Sequence, residues 1–181
     1  MKNIKSIIVT TIILTVICAI SAAGLAGTNE LTAKRIAEAD KKAEQKAMSR
    51  IIEADNYTEG KITVNGVENT YYIAENDNTY GYIFTFSHNG YGGPVKVMTG
   101  VDMNGKVIAI EVLSASDETP GLGQNITKKS YWEQFKGLSG EATVGGNVEA
   151  VTGATFSSKA VAECVNDALD MYKAITEEGE K

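Results

Sequence analysis

The sequence predicts an α+β protein: an N-terminal transmembrane helix, then an extracytoplasmic domain with a mainly antiparallel sheet and flanking helices. Three observations predict it. An uncharged apolar run opens the chain, β-type alternation fills its middle, and a helical apolar stripe closes it. Strands grouped together, with helices set apart at the flanks, point to α+β rather than to an alternating α/β arrangement.

The opening segment carries Lys2 and Lys5, then no charge from Ile7 to Ala26, a run of 20 residues. At ~1.5 Å per residue that run spans roughly 30 Å, one hydrocarbon core. A cleaved signal peptide is one reading, since SAAGLAG offers small residues for cleavage. A retained anchor is the other, and the helical pattern beyond the span favours it: Ile36, Ala43, Ala47, Ile51 and Ile52 fall on one side, with charges between them. Lys2 and Lys5 place the N-terminus in the cytoplasm, although Lys34 and Arg35 on the far flank blur the charge rule. The organisation expected is a cytoplasmic N-terminus and span over 1–27, a helical stalk over 28–57 and an extracytoplasmic domain over 58–181.

Alternation then takes over in KITVNG, NTYYIAEN, TYGYIFTFSH, PVKVMTGVDM and KVIAIEVLSAS. Each is rich in β-branched or aromatic residues and bounded by Gly, Asn or Asp, so each reads as a strand. MNGK, with Asn104-Gly105, is a hairpin signal. A short helix is expected over 127–137, and a turn-rich stretch with a short strand in ATVGGNVEAV. From Ser157 to about Thr176, apolar residues at 160, 161, 164, 165, 168, 169 and 172 form a helical stripe, with Glu163, Asp167 and Asp170 opposite.

Composition excludes several chemistries. A formal net charge of −6 with no basic patch argues against nucleic acid as a partner. The two cysteines, Cys18 in the apolar run and Cys164 in the last helix, build no disulfide framework. His88 is the only histidine, too few for a zinc site or a bis-histidine haem.

VTGATFSS, residues 151–158, places hydroxyls around a tight Gly-Ala turn where the last helix begins. A helix start presents unpaired N–H groups and the positive end of its dipole, which favour phosphate. Thr155, Ser157 and Ser158 would stand around such a phosphate. On the residues alone, an ordinary N-cap at Thr155 or Ser157 is the favoured account of the pattern, and no phosphate is required. Two further glycine clusters sit at strand ends, HNGYGGPVKVM (88–98) and SDETPGLGQN (116–125), and loops of this kind often line ligand sites.

TGAT at 152–155, GYGGPVKVM at 90–98 and ETPGLG at 118–123 together resemble the FMN-binding domain family. That family includes the G subunit of the Rnf complex and the C subunit of the sodium-pumping NADH:quinone oxidoreductase. The likeness runs over about residues 60–176 in matching order, with the same N-terminal span. It implies FMN bound covalently, through a phosphoester on Thr155, installed from FAD by a separate flavin transferase. Thr152, Gly153, Ala154, Ser157 and Ser158 would surround that attachment. Glu118, Thr119, Gly121, Leu122 and Gly123 would meet the isoalloxazine. Glu149 stands where the family more often has Asp. Tyr80, Tyr82, Phe84, Phe86 and Trp132 are read as core packing, Lys96 as a solvated strand lysine, and Thr152 as a turn residue.

The function so implied is an electron-transfer subunit of a membrane-bound, ion-translocating ferredoxin:NAD oxidoreductase of the Rnf type, with no complete substrate site of its own. Its partners are the integral-membrane and redox subunits of the same complex. A sodium-pump C subunit and a solitary flavin domain for an extracytoplasmic reductase are the related alternatives. A pilin-like structural protein shares the layout, but MKNIKS lacks the processing sequence and glutamate of a pilin.

Overall fold

The computed structural model describes residues 2–64, 66–76 and 80–179. They form two compact units, Met1–Lys42 and Ala43–Lys181. Helix α1 runs from Lys2 to Ile51. Within the first unit, Ile4–Asn29 is long and apolar enough to cross a membrane, and its large apolar side chains are exposed. Thr10, Thr11 and Thr15 each donate to the carbonyl four residues earlier at 2.9 Å. Their hydroxyls are thus satisfied without water, as a lipid surrounding requires.

The second unit is built on a five-stranded sheet in which each strand pairs antiparallel with the next. The strands are β1 (Asn56–Val64), β2 (Val67–Glu75), β3 (Tyr80–Asn89), β4 (Pro94–Asp102) and β5 (Val107–Ser114). A 3₁₀ turn (Gly123–Thr127), the short α2 (Lys129–Trp132) and a second 3₁₀ turn (Glu133–Phe135) follow, then α3 (Thr155–Gly179).

Because successive strand residues point to opposite faces, each strand supplies two cores. On one face, Tyr82, Phe84, Val95, Val97 and Val101 pack with Ala160, Val161, Cys164, Val165, Ala168 and Leu169 of α3. The helical stripe expected from the sequence is the buried stripe found. Tyr82 stacks on Phe84 at 6.3 Å and 14°, and Tyr71 and Tyr172 pack around Tyr82, so the β3 aromatics are core; the side chain of Tyr80 lies outside the described residues. On the other face, Ala47, Met48, Ile51 and Ile52 at the end of α1 cover Ala74, Ile83 and Met98. Ile36 and Ala43 are exposed, so only the final turns of the expected stripe bury.

Four local expectations change. Strand β1 begins at Asn56, ahead of the predicted start, because Gly60 does not break it. The Tyr71 ring lies over Gly60 on the paired strand, and a Cβ there would stand 2.4 Å from Tyr71 Cζ. Glycine without a side chain is thereby covered by its neighbour's ring. The helix expected over 127–137 is three short pieces. Lys128 is extended (φ −77°, ψ 136°), and the Trp132 indole N–H folds back onto the Ile126 carbonyl at 2.6 Å. The Asn104-Gly105 hairpin closes as a three-residue loop, with Asp102 N–H on Lys106 O at 2.8 Å and Gly105 at φ +72°. Asp102 Oδ1 accepts from the N–H groups of Asn104 and Lys106, which draws the wider loop shut. The short strand expected in 142–151 is a single parallel bridge, Val144–Val148. Asn166 of α3 pins this stretch, accepting from Ala142 N–H at 2.7 Å and donating to its carbonyl at 3.1 Å.

Gly100 on β4 lies under α1: a Cβ there would stand 2.3 Å from Ile51 Cγ2 and 3.3 Å from Ile52. Gly100→Ala is expected to cost roughly 1–3 kcal/mol through overpacking. Combined with Ile51→Ala, the loss should be smaller than the sum of the two single losses. Thermal unfolding of the detergent-solubilised chain, followed by Trp132 fluorescence, measures both.

Candidate functional site

Three segments far apart in sequence meet at one end of the sheet: the β3–β4 loop at 90–93, the loop after β5 at 115–123, and the turn into α3 at 151–158. They enclose a cleft of about 450 Å³ lined by Tyr91, Glu118, Thr119, Leu122, Gly123, Gly153, Ala154, Thr155, Phe156 and Ser157. Of the residues singled out from the sequence, Gly121, Thr152 and Ser158 do not line it. Tyr91 and Phe156 do, although sequence reasoning passed over them; their signal was an aromatic set directly inside each glycine or hydroxyl motif. A larger pocket of about 570 Å³ lies between α1, β5 and α2 and contains none of these residues.

Glu118 organises the cleft. Its side chain is 2% exposed. Oε2 accepts from the Ser157 hydroxyl at 2.5 Å, and Oε1 accepts from the Gly92 N–H at 3.1 Å. The glycines make room for it. A Cβ at Gly90 would stand 2.2 Å from Oε1, and one at Gly123 would stand 2.3 Å from Oε2. At Gly92 it would meet the Asp117 carbonyl oxygen at 1.9 Å. The glycines at 90, 92 and 123 therefore serve a buried carboxylate and the backbone beside it.

The hydroxyls at the start of α3 divide into separate tasks. Ser157 is fully buried and bonded to Glu118. Ser158 is also fully buried, and its oxygen accepts from the Val151 N–H at 3.0 Å, closing the turn. Tyr131 donates to the Ser158 carbonyl at 3.2 Å. Burial pushes the Tyr131 phenol up to about 12, so it stays a protonated donor at neutral pH. Gly153 turns the chain at φ +78°, which a β-carbon would strain. Thr155 is exposed, opens the helix, and its hydroxyl has no hydrogen-bond partner among the described residues. The N–H groups of Thr155, Phe156 and Ser157 are likewise uncommitted among the described residues, the first bond of the turn being Ser158 N–H to Ala154 O at 2.9 Å.

The remaining candidates lie elsewhere. Lys96 is not a free strand lysine: its ammonium pairs with Glu44 at 2.5 Å. His88 sits between two α3 carboxylates, Nε2 at 2.7 Å from Asp167 and Nδ1 at 3.3 Å from Glu163. Cys164 is buried, and desolvation pushes its thiol up to about 12, so it is packing rather than a nucleophile. Thr152 and Glu149 border a separate cleft beside α2.

Comparison with known proteins adds two domain matches. The FMN-binding domain model matches residues 90–170, and the model of the RnfG N-terminal region matches residues 1–51. The chain is 31% identical to the G subunit of the proton-translocating ferredoxin:NAD(+) oxidoreductase complex of Clostridium ljungdahlii, over 97% of this chain and 96% of that one. It is 31% identical to the Na(+)-translocating counterpart of Acetobacterium woodii, over 91% of each chain. It is 29% identical to the G subunit of the ion-translocating oxidoreductase complex of Methanosarcina acetivorans, over 96% of each.

The cradle makes one substitution diagnostic. In Gly123→Ala the new methyl would meet Glu118 Oε2 at 2.3 Å and Ser157 Oγ at 3.1 Å. The expected loss is roughly 1–3 kcal/mol, seen as a lowered unfolding midpoint of the solubilised chain.

Proposed function

The chain belongs to the G subunits of ion-translocating ferredoxin:NAD(+) oxidoreductase (Rnf) complexes, and on that premise we propose that it carries FMN as a phosphoester on Thr155. It is an electron-transfer subunit with an FMN-binding domain, a membrane protein that works beside the other subunits of its complex. The attachment site is carried by one observation: an exposed, unpartnered hydroxyl on the residue that opens α3, at the wall of the cleft.

The residues present suit the group. Three uncommitted N–H groups and the positive end of α3 favour a phosphate at Thr155. Tyr91 (75% exposed), Phe156 (68%) and Leu122 (46%) put aromatic and apolar surface at the cleft, where a flat ring can cover them. Thr119 and Gly123 supply polar backbone at the same wall. When bound, FMN supplies the redox chemistry. The chain's own task is to hold the ring in place, and an ester bond removes any dissociation equilibrium. Thr152, Gly153, Thr155 and Phe156 are all exposed, so the segment is accessible to a flavin transferase. Thr152 serves the turn, and Ser157 and Ser158 are already committed to internal bonds.

The same reading assigns 1–27 to a cytoplasmic N-terminus and span, 28–57 to a stalk, and 58–181 to an FMN-binding domain on the extracytoplasmic side. Lys2 and Lys5 ahead of the span support this orientation.

Thr155→Ala, co-expressed with the transferase, is expected to lose all flavin fluorescence in a denaturing gel and to show an unmodified intact mass. Its stability should change by no more than about 0.5 kcal/mol, since an exposed, unbonded side chain is removed. Thr152→Ala should keep the flavin. Persistent flavin on Thr155→Ala would assign the ester to another hydroxyl. For orientation, Ser139 is exposed in the second unit. In Ser139→Cys, a membrane-impermeant thiol reagent should label intact right-side-out cells or spheroplasts. Labelling only after lysis places the domain in the cytoplasm.

A further inference from the structure

We propose that Glu118 is a positioning residue that also sets redox poise: its buried carboxylate ties the three cleft segments together and holds the reduction potential of the flavin below the value it would have beside a neutral side chain. The inference rests on the FMN reading above.

The geometry suits a charged strut. Both oxygens act as acceptors, one from the Gly92 N–H and one from the Ser157 hydroxyl, so neither bond needs a proton on the carboxyl group. No lysine, arginine or histidine pairs with it among the described residues. The start of α3, which Ser157 shares, turns the positive end of a helix dipole toward it. Glu118 lines the cleft from a position 2% exposed, where water and salt screen poorly.

Were FMN held there, an electron supplied by the electrode of a potentiometric titration, or by a redox partner in the complex, would add negative charge to the cleft unless a proton accompanied it. A fixed buried negative charge at the cleft wall raises the energy of that reduced state relative to the oxidised one, so the potential falls. A purely structural strut would have no such effect, and glutamine separates the two roles. Its Oε1 can accept from Gly92 while its Nε2 donates to Ser157, whose hydroxyl rotates to accept. E118Q therefore keeps both bonds and removes the charge. S157A does the reverse, keeping the charge and removing a donor that offsets it.

The test is a spectroelectrochemical titration, at fixed pH, of the full-length chain flavinylated by co-expressed transferase and held in detergent. Intact mass reports loading. E118Q is expected to carry one FMN and to titrate at a more positive potential than the unmodified sequence. S157A is expected to titrate at a more negative one. An unshifted E118Q overturns the inference, as does a shift of both variants in the same direction, which is what mere loosening of the cleft would give. If E118Q does not fold or load, S157A decides alone, and an upward or absent shift there overturns it. A wild-type chain lacking the FMN mass overturns the FMN reading and this inference with it. A loaded wild type beside an unshifted E118Q overturns this inference only.

Discussion

Removing the Glu118 carboxylate from water costs several kcal/mol unless donors meet it, so the chain around it has little freedom. One donor must come from the β3–β4 loop and the other from the first turn of α3. The carboxylate itself is carried on the loop after β5. Three segments are thus bound to one another through a single side chain, and the cleft is the space left between them. The glycines at 90, 92 and 123 follow from this requirement, since a methyl at any of them would collide with Glu118 or with the backbone just before it. The sheet and α3 then act as a rigid frame, because Val95, Val97 and the α3 stripe share one core.

The crowd of hydroxyls before α3 has a corresponding explanation. Ser157 serves the buried carboxylate and Ser158 closes the turn at Val151. Once those two are spent on structure, Thr155 alone of the hydroxyls within α3's first turn is left outward and unbonded. A motif that reads as several equivalent phosphate ligands becomes one outward hydroxyl supported by two internal fasteners.

Legibility in the sequence tracks how local each feature is. The apolar span and the α3 stripe are readable because each is a property of consecutive residues with a fixed period. The strands are readable for the same reason, except where Gly60 counts as a breaker and the Tyr71 ring that covers it lies on another strand. The helix expected over 127–137 breaks up because Lys128 is extended and Trp132 bonds back to Ile126, neither of which has a compositional mark. At the cleft, the three motifs announce which loops matter but not what their residues do. The partners of Glu118 lie 26 and 39 positions away, and no spacing rule predicts that a glutamate in a glycine loop turns inward. Lys96 is a similar case, its partner Glu44 standing on a different element altogether.

The closing turns of α1, with Ile52 just beyond them, bury Ala47, Met48, Ile51 and Ile52 against Ala74, Ile83 and Met98. The soluble fold therefore borrows a structural wall from the tail of the same helix that contains the apolar span. A truncation begun at residue 58, where β-type alternation is already under way, would shear off that wall and leave a greasy sheet surface open to water. Any membrane-free fragment meant to stay monodisperse has to start upstream of Ala47.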